Sequence, residues 1–193
     1  MRKYPIVLDL ETKHTFREYS EHEKLGVTVV GVYNYEDKQF KIYRESTLNQ
    51  LFPVIENSSY VIGFNNRSFD LPVLQAYYPG DLKKMPVFDI LEDVRDKIGR
   101  RLSLNDLISA TLGLKKSGHG LMAIDYYREG KWEELEKYCL DDVSLTKDLF
   151  EYGVKNQEIN YLSENGKLAI KVDWKKYLEE NKNNNDVAMT LPF

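Results

Sequence analysis

Asp9 and Glu11 place two carboxylates two residues apart, directly after the apolar stretch at residues 6–8. Alternate residues of a β-strand point to the same face, so a strand here would present both carboxylates side by side, with Leu10 turned into the core. Two like charges held together in this way favour a bound cation. Asp-x-Glu is also common in acidic sequences, and the alternative is a strand end that emerges into water.

A third carboxylate, Asp70, stands where a polar loop follows a buried strand and a helix is expected to begin. The alternative role for Asp70 is the N-cap of that helix, a position at which aspartate is common. Capping alone does not explain why Asn65 and Phe69 flank the same loop. The segment that carries Asp70 is therefore the second segment of the chain with a candidate metal ligand.

The fourth carboxylate, Asp142, falls within a long predicted helix, one turn after Tyr138. Leu135, Tyr138, Asp142, Leu145 and Leu149 recur at spacings of three and four and form one stripe that faces the core. Burying an unpaired carboxylate costs free energy. The place of Asp142 on this stripe therefore indicates a positively charged partner.

These carboxylates come from three separate segments, each near the end or on the inner face of an element that would lie beside the first strand. Carboxylate oxygens are the ligands that hard cations such as Mg²⁺ and Mn²⁺ prefer. Two such ions, about 4 Å apart, can activate water, hold a scissile phosphate and stabilise the leaving 3′ oxygen. The pattern thus predicts a two-metal-ion site for phosphodiester hydrolysis.

The segments that position these groups predict an α/β fold. An opening meander followed by alternating strands and helices indicates a mixed five-stranded sheet with helices on both faces. Ser46 and Ser103 predict helix N-caps, and Gly113 and Gly130 predict helix ends. Strands are expected at 4–10, 27–35, 39–43, 60–64 and 87–91, and helices at 47–55, from 70, and at 104–112, 121–129 and 132–152.

The end of the chain predicts a hairpin and a tail. Residues 158–163 and 167–172 flank Asn165-Gly166, a strong signal for a tight β-turn. We expect one domain at 1–174, with a core at 1–155 and a C-terminal β-hairpin at 158–172. Residues 175–193 are charged and then asparagine-rich, and they predict a flexible tail.

Composition narrows the class of protein. The chain has 193 residues, 42% of them hydrophobic and 30% charged, which suits one soluble domain. It shows neither a membrane-length apolar run nor a signal-peptide pattern, and its single cysteine, Cys139, is expected to pack in the core, so we expect a cytoplasmic protein. A net charge of −4 excludes a protein that coats nucleic acid electrostatically, but not an enzyme that grips one strand end.

Three stretches resemble, in order, the exonuclease motifs of the DEDD (DnaQ-like) superfamily: Asp9-Leu10-Glu11-Thr12, Asn65 through Asp70, and Tyr138 through Asp142. Tyr138 matches the tyrosine of the DEDDy subtype, since the histidine subtype would place its histidine where Lys137 stands. The stretches are similar to those of B-family DNA polymerase proofreading domains and of YprB-like predicted exonucleases. The resemblance implies a ribonuclease-H-like fold.

The same resemblance implies roles for individual residues. Asp9 would bridge two divalent cations, Mg²⁺ or Mn²⁺, Glu11 and Asp142 would complete one site, and Asp70 would serve the second through water. Tyr138 would orient the attacking water. The positions that contact the terminal nucleotide in the family are matched by Leu10, Thr12, Asn65 and Phe69.

The activity implied is that of a 3′→5′ exonuclease that releases nucleoside 5′-monophosphates from single-stranded or frayed 3′ ends, with DNA favoured over RNA and a role in DNA repair. One alternative is a catalytically silent module of the same fold that binds nucleic acid or a replication partner. Another is an endonuclease of the wider ribonuclease-H-like group, which would not require Tyr138. Core packing is an equal alternative for Phe69. The intact acidic positions favour the exonuclease.

Two further segments carry weaker hypotheses. Lys115 and Lys116 begin a basic loop that could follow a strand's phosphates, although we favour a solvated linker. The final residues resemble bacterial sliding-clamp-binding peptides, with Met189, Leu191 and Phe193 as anchors. Ala188 stands in place of the usual glutamine, and we favour the alternative, a tail that packs on its own domain.

Overall fold

A computed structural model, which describes residues 3–116, 118, 120–164 and 166–178, contains the predicted five-stranded mixed sheet. The strand order is β3-β2-β1-β4-β5; β1 to β3 are antiparallel, whereas β4 and β5 run parallel to β1. The strands are β1 (Ile6–Thr12), β2 (Val27–Asn34), β3 (Gln39–Arg44), β4 (Val61–Gly63) and β5 (Val87–Asp89). The first strand therefore lies in the middle of the sheet.

Helices cover both faces of this sheet. Side chains alternate along β1, so that Leu8 packs in the core under α1 and α2 while Val7 packs against α4 and α6. Within the described residues no helix combines the length and the apolar character needed to span a membrane. The helices are α1 (Leu48–Asn57), α2 (Asp70–Gln75), α3 (Ile90–Ile98), α4 (Leu104–Leu112), α5 (Gly120–Arg128), α6 (Trp132–Asn156) and α7 (Lys175–Leu178).

Two predicted helix starts can be compared directly with the structure. The Ser103 hydroxyl accepts from the Asp106 backbone amide in a complete capping box, and α4 ends at Gly113 in the left-handed conformation, as predicted. The prediction for Ser46 was wrong. A 3-10 turn at Glu45–Thr47 precedes α1, whose N-cap is Thr47, and that residue makes no capping hydrogen bond with its side chain.

The strand predicted at 87–91 ends early. β5 stops at Asp89, whose carboxylate accepts hydrogen bonds from the backbone amides of Leu91 and Glu92 and so begins α3, a helix that was not predicted. Ile90 and Leu91 extend an apolar run that suits either a strand or a buried helix. The cap, rather than the hydrophobic pattern, decides which element forms.

The C-terminal hairpin forms as predicted. β6 (Glu158–Ser163) pairs antiparallel with β7 (Gly166–Lys171), and β6 packs on α4. The first residues of the predicted tail form α7, where the Tyr177 ring stacks on Phe88 with centroids 3.9 Å apart. Residues 179–193, including the predicted partner-binding residues Met189, Leu191 and Phe193, lie outside the described residues.

Gly31 of β2 brings the long helix α6 close to the sheet. It pairs with Asp9 of β1, so both positions share the face that α6 covers. A Cβ at Gly31 would lie 2.9 Å from a methyl carbon of Val143 and 3.0 Å from the sulfur of Cys139. Cys139 is fully buried here, which confirms its predicted place in the core.

Candidate active site

Asp9, Glu11 and Asp142 converge at the meeting point of β1 and α6. One carboxylate oxygen of each residue lies within 4.8 Å of the others. The two-residue period of β1 directs Asp9 and Glu11 to the α6 side, and Asp142 is buried on the inner face of α6. Three of the four predicted metal ligands are therefore assembled, from segments more than 130 residues apart in the chain.

Asp70 lies next to this cluster but bonds in a different way. Its Oδ1 accepts a hydrogen bond of 3.0 Å from the backbone amide of Leu10, between the two carboxylates of β1. The N-cap of α2 is Phe69, and Asp70 is the first residue of the helix, so the N-cap alternative for Asp70 is wrong. β4 pairs with β1 only at Ile6 and Val7, so it provides no hydrogen-bond acceptor for the backbone amide of Leu10. The Asp70 carboxylate is the acceptor for that amide instead.

The four carboxylates perturb one another. Burial raises the pKa of Asp9 well above its ordinary value, and the charges of Asp70, Asp142 and Glu11 raise it further. Burial and then Asp142 raise the pKa of Glu11, against the opposing effect of Lys116. Burial raises the pKa of Asp70 to about 7, although the backbone amides that it accepts from favour its ionised form. The ionised cluster is unstable alone, and an oxygen-only donor set of this kind fits a hard divalent cation.

Lys116 lies inside the site, so the favoured reading of its loop as a solvated linker was wrong for this residue. Its Nζ is 2.6 Å from Oδ2 of Asp142 and 5.9 Å from the centroid of the Tyr138 ring. Its backbone amide donates to Oδ1 of Asn105 in α4, which anchors the segment. Burial lowers the pKa of Lys116, but Asp142 and the carboxylates of β1 outweigh that effect and leave it raised.

Tyr138 occupies the predicted position one helical turn before Asp142, with its ring buried against Val29 and Leu135. Its hydroxyl oxygen is buried, has no well-aligned hydrogen-bond partner among the described residues, and lies close enough to the Asp142 carboxylate to lower the pKa of that carboxylate. Burial and then the Asp142 carboxylate raise the pKa of the phenol, so the hydroxyl keeps its proton at neutral pH. A protonated hydroxyl at this place can hydrogen-bond to water or substrate beside the acidic cluster.

The predicted substrate residues occupy different environments. Leu10 packs its side chain in the core under α1 and α2, away from the acidic cluster, because it alternates with Asp9 and Glu11 on β1. The predicted contact of Leu10 with substrate stays a prediction and would have to involve its backbone. The Thr12 hydroxyl is buried and donates to the backbone carbonyl of His14. The Phe69 ring is partly buried against the same core, so at least part of the ring has a packing role.

The loop that carries Asn65 is held by Asp89, which was not predicted as a site residue. The Asp89 carboxylate accepts hydrogen bonds from the backbone amides of Asn65 at 2.9 Å and Arg67 at 3.1 Å. Asn65 adopts a left-handed backbone with φ of 70°, a conformation that asparagine tolerates. Asp89 directly precedes the apolar residues Ile90 and Leu91, and an aspartate in that position is a recognised signal for a helix N-cap. This signal could have predicted the role of Asp89.

The fold and the acidic cluster define a ribonuclease-H-like α/β domain with a candidate metal centre. A model of the RNase_H superfamily matches residues 6–154. The match covers most of the sequence, so the chain belongs to the RNase_H superfamily. A sequence search of curated proteins finds no match.

Solved structures share this fold at low sequence identity. A family B DNA polymerase from the hyperthermophilic archaeon Pyrobaculum calidifontis aligns with 80% of this chain and 25% of its own, at 16% identity and a TM-score of 0.60. Trypanosoma brucei RNase D aligns with 78% of this chain and 57% of its own, at 17% identity and a TM-score of 0.57. Its complex with GMP aligns at a TM-score of 0.58. This chain thus spans from a quarter to just over half of those chains.

Proposed function

We propose that this chain is a two-metal-ion 3′→5′ exonuclease that hydrolyses the terminal phosphodiester bond of single-stranded nucleic acid, with DNA as the preferred substrate. The observation that carries the proposal is the convergence of carboxylate oxygens from Asp9, Glu11 and Asp142 within 4.8 Å. Membership of the RNase_H superfamily and a fold shared with RNase D and a family B DNA polymerase support it.

The residues present fit divalent cations, Mg²⁺ or Mn²⁺. Asp9, Glu11 and Asp142 would hold one ion. Asp70, whose carboxylate bonds the Leu10 amide between Asp9 and Glu11, would serve a second ion through water together with Asp9. Such ions, when bound, supply positive charge that activates water and stabilises the leaving 3′ oxygen. Hard oxygen ligands and the mutual rise of the carboxylate pKa values are the features that fit them.

Tyr138 and Lys116 would act on the substrate side of the cluster. The Tyr138 hydroxyl, which is protonated and lies beside Asp142, would hydrogen-bond to the attacking water and hold it for in-line attack. The Lys116 ammonium stands beside Asp142 and would contribute positive charge opposite the scissile phosphate. The product of that attack on the last linkage is a nucleoside 5′-monophosphate and a strand shorter by one residue.

The test is hydrolysis of matched DNA and RNA oligonucleotides, labelled at the 5′ end, with Mg²⁺ or Mn²⁺. We expect a ladder that shortens stepwise from the 3′ end, release of 5′-monophosphates, faster cleavage of DNA, and no reaction in EDTA. Asp142→Asn should lower kcat by roughly 100-fold or more, because it removes a ligand charge while keeping the side-chain shape. Asp141→Asn, the neighbour outside the cluster, should stay active.

Other outcomes would replace the proposal. Internal cuts of the labelled strand, or of a circular single strand, would identify an endonuclease. Binding of the oligonucleotides without cleavage under any metal condition would identify a catalytically silent binding module. Full activity of Asp142→Asn would remove this carboxylate from the reaction.

A further inference from the structure

The C-terminal hairpin of β6 and β7 lies outside residues 6–154, the range that matches the RNase_H superfamily model. It forms a two-stranded sheet of its own. The inner face of the hairpin packs in the core through Ile159 and Ile170, and β6 lies against α4. The hairpin is therefore a folded addition to the superfamily domain, and the proposed hydrolysis makes no use of it.

The backbone groups of β7 point alternately towards β6 and away from it. Beside the ladder, the Val172 amide donates to the Gln157 carbonyl at 3.0 Å. Hydrogen-bonded pairs alternate with non-hydrogen-bonded pairs along an antiparallel ladder, so Ile170 bonds to β6 and Ala169 does not. The residues of β7 whose N–H and C=O groups point away from β6 are therefore Lys167, Ala169 and Lys171, and we call these three residues the open edge.

Other strand edges of this fold are capped by side chains. The Thr111 hydroxyl bonds both the backbone amide and the carbonyl of Asn160 on the outer edge of β6. A guanidinium nitrogen of Arg67 donates to the carbonyl of Val87 in β5, the last strand of the main sheet. The open edge is exposed, and its backbone groups have no such cap among the described residues. Six backbone hydrogen-bonding groups, two from each of its three residues, are therefore available to another strand.

The side chains around the open edge select among possible strands. Leu162 is 63% exposed opposite Lys167, and Leu168 is 40% exposed next to it. If a second copy of this chain paired antiparallel about Ala169, Lys167 would lie opposite Lys171 of the other copy, and like charges directly opposite are destabilising. The open edge thus disfavours a second copy and favours a strand that carries carboxylates.

We propose that the open edge binds an extended segment of a partner protein by β-strand addition, and that this segment carries two acidic side chains four residues apart with apolar side chains between them. Backbone hydrogen bonds supply the affinity, and carboxylates opposite Lys167 and Lys171 supply the selectivity. The apolar side chains of the segment lie beside Leu168 on the other face of the strand. The inference does not depend on the proposed exonuclease activity.

Two synthetic peptides test the chemistry of the partner. Ser-Glu-Val-Thr-Val-Glu-Ser has the proposed pattern and reads the same in both directions, so it fits the edge in either orientation. Ser-Lys-Val-Thr-Val-Lys-Ser keeps the strand propensity and reverses the charge. In fluorescence anisotropy with the full chain, the acidic peptide should bind roughly tenfold more tightly, because two attractive cross-strand pairs replace two repulsive ones. Equal affinity of the two peptides, or no binding of the acidic one, would overturn the proposal.

Amide hydrogen exchange locates the bound peptide. In the free chain the three amides of the open edge should exchange fast, and those of Leu168 and Ile170 slowly, because only the latter bond to β6. The acidic peptide should slow exchange at the open edge. Protection elsewhere with none at the open edge would show a different binding site and contradict the inference.

A proline substitution separates backbone pairing from stability. Ala169→Pro removes an outward N–H and leaves the hydrogen bonds to β6, since edge strands accept proline where the N–H faces solvent. It should weaken binding of the acidic peptide about tenfold with little change in Tm. Ala169→Thr keeps the amide and should keep the affinity. Unchanged affinity of Ala169→Pro would exclude strand addition.

Charge reversal gives a variant with an intact backbone. Lys167→Glu is chosen because Lys171 already pairs with Glu158 at 2.6 Å. It should remove most of the preference for the acidic peptide, while Lys83→Glu, at an exposed position before α3, controls for net charge. An unchanged preference would remove Lys167 from recognition. Sedimentation of the parent should show a monomer, and a dimer that Ala169→Pro dissociates would assign the open edge to a second copy instead.

Discussion

Lys116 and Asp142 form an ion pair in which Nζ lies 2.6 Å from Oδ2, beside the oxygens of Asp9 and Glu11. The pair places an ammonium next to the carboxylate that a metal ion would also need. The ammonium of Lys116 and a bound metal ion are both positively charged, and both would be attracted to the Asp142 carboxylate. They would therefore compete for it. Lys116 therefore stabilises the metal-free cluster and opposes the binding of a metal ion to it.

Replacement of Lys116 should have opposite effects on stability and on metal affinity. Lys116→Gln should lower the free energy of unfolding in EDTA by about 2 kcal/mol, between the values for exposed and buried ion pairs. It should also raise the affinity for Mn²⁺ roughly fivefold, since a competing charge is gone. Urea denaturation and Mn²⁺ titration measure the two effects. Lys115→Gln, at the exposed neighbouring position, should change neither, and equal stability of Lys116→Gln in EDTA would contradict the ion pair's role.

The metal-free chain should lose stability as the pH rises. The pKa of Asp70 is raised from 3.8 to about 7 by burial, and the pKa values of Asp9 and Glu11 are raised as well. In the window from about pH 4 to 7 the folded state binds more protons than the unfolded state, so the free energy of unfolding falls as the pH rises through it.

Divalent metal should reverse this trend, because it binds the ionised carboxylates of the folded state. At Mn²⁺ concentrations about 100 times Kd the gain is about 3 kcal/mol, which corresponds to several degrees in Tm for a chain of this size. Thermal unfolding with and without Mn²⁺ should show a larger shift at pH 8 than at pH 5. Equal shifts at both pH values, or an unchanged shift in Asp9→Asn, would argue against the cluster as the metal site.

Loss of the Tyr138 hydroxyl should affect the reaction and spare the fold. Tyr138→Phe keeps the buried ring and removes only the hydroxyl oxygen beside the Asp142 carboxylate, which has no well-aligned hydrogen-bond partner among the described residues. We expect kcat to fall roughly 10- to 100-fold, as for a misplaced attacking group, with the free energy of unfolding and Mn²⁺ affinity nearly unchanged. Single-turnover hydrolysis measures the effect. An unaltered rate would show that Tyr138 does not orient the nucleophile.

Asp89 should matter for stability and for strand binding together. Asp89→Ala leaves the amides of Asn65, Arg67 and Leu91 without their acceptor, at a cost of about 3 kcal/mol. The loosened loop 65–69 should also raise KM for oligonucleotides. Urea denaturation and steady-state kinetics test both effects, with Asp96→Ala, an exposed acid of α3, as the control. A large loss of stability with an unchanged KM would show that the loop keeps its shape without Asp89.

Residue spacing predicted which face of its element each carboxylate occupies, and the resemblance of the three motifs to the DEDD superfamily predicted that these faces meet. The two-residue period of a strand places Asp9 and Glu11 on one face, and the stripe through Tyr138 and Asp142 identifies the inner face of a helix. Both rules follow from local backbone geometry, so they need no knowledge of which elements pack together. The chain order of the motifs then indicated the RNase-H-like sheet that the structure contains.

Lys116 and α3 could not be predicted in the same way. The position of Lys116 depends on how α4 packs beside α6 and on the bond from its amide to Asn105, which are long-range contacts without a periodic signal. The boundary after β5 depends on the Asp89 cap rather than on hydrophobic pattern. For Leu10, strand alternation correctly predicted a side chain turned into the core, whereas its contact with substrate was predicted from the family motif alone and stays a prediction.

Gly31 makes the acidic cluster dependent on a residue with no functional group of its own. It stands opposite Asp9, and the space that a Cβ would need there is restricted by Val143 and Cys139, which would lie 2.9 and 3.0 Å from it. A single added methyl would act as a wedge between sheet and helix, tilting Asp142 away from its partners while every ligand stayed in the sequence. The absence of a side chain at Gly31 thus sets the distance between the sheet and α6. That distance in turn sets the spacing of the carboxylate oxygens that would bind a metal ion.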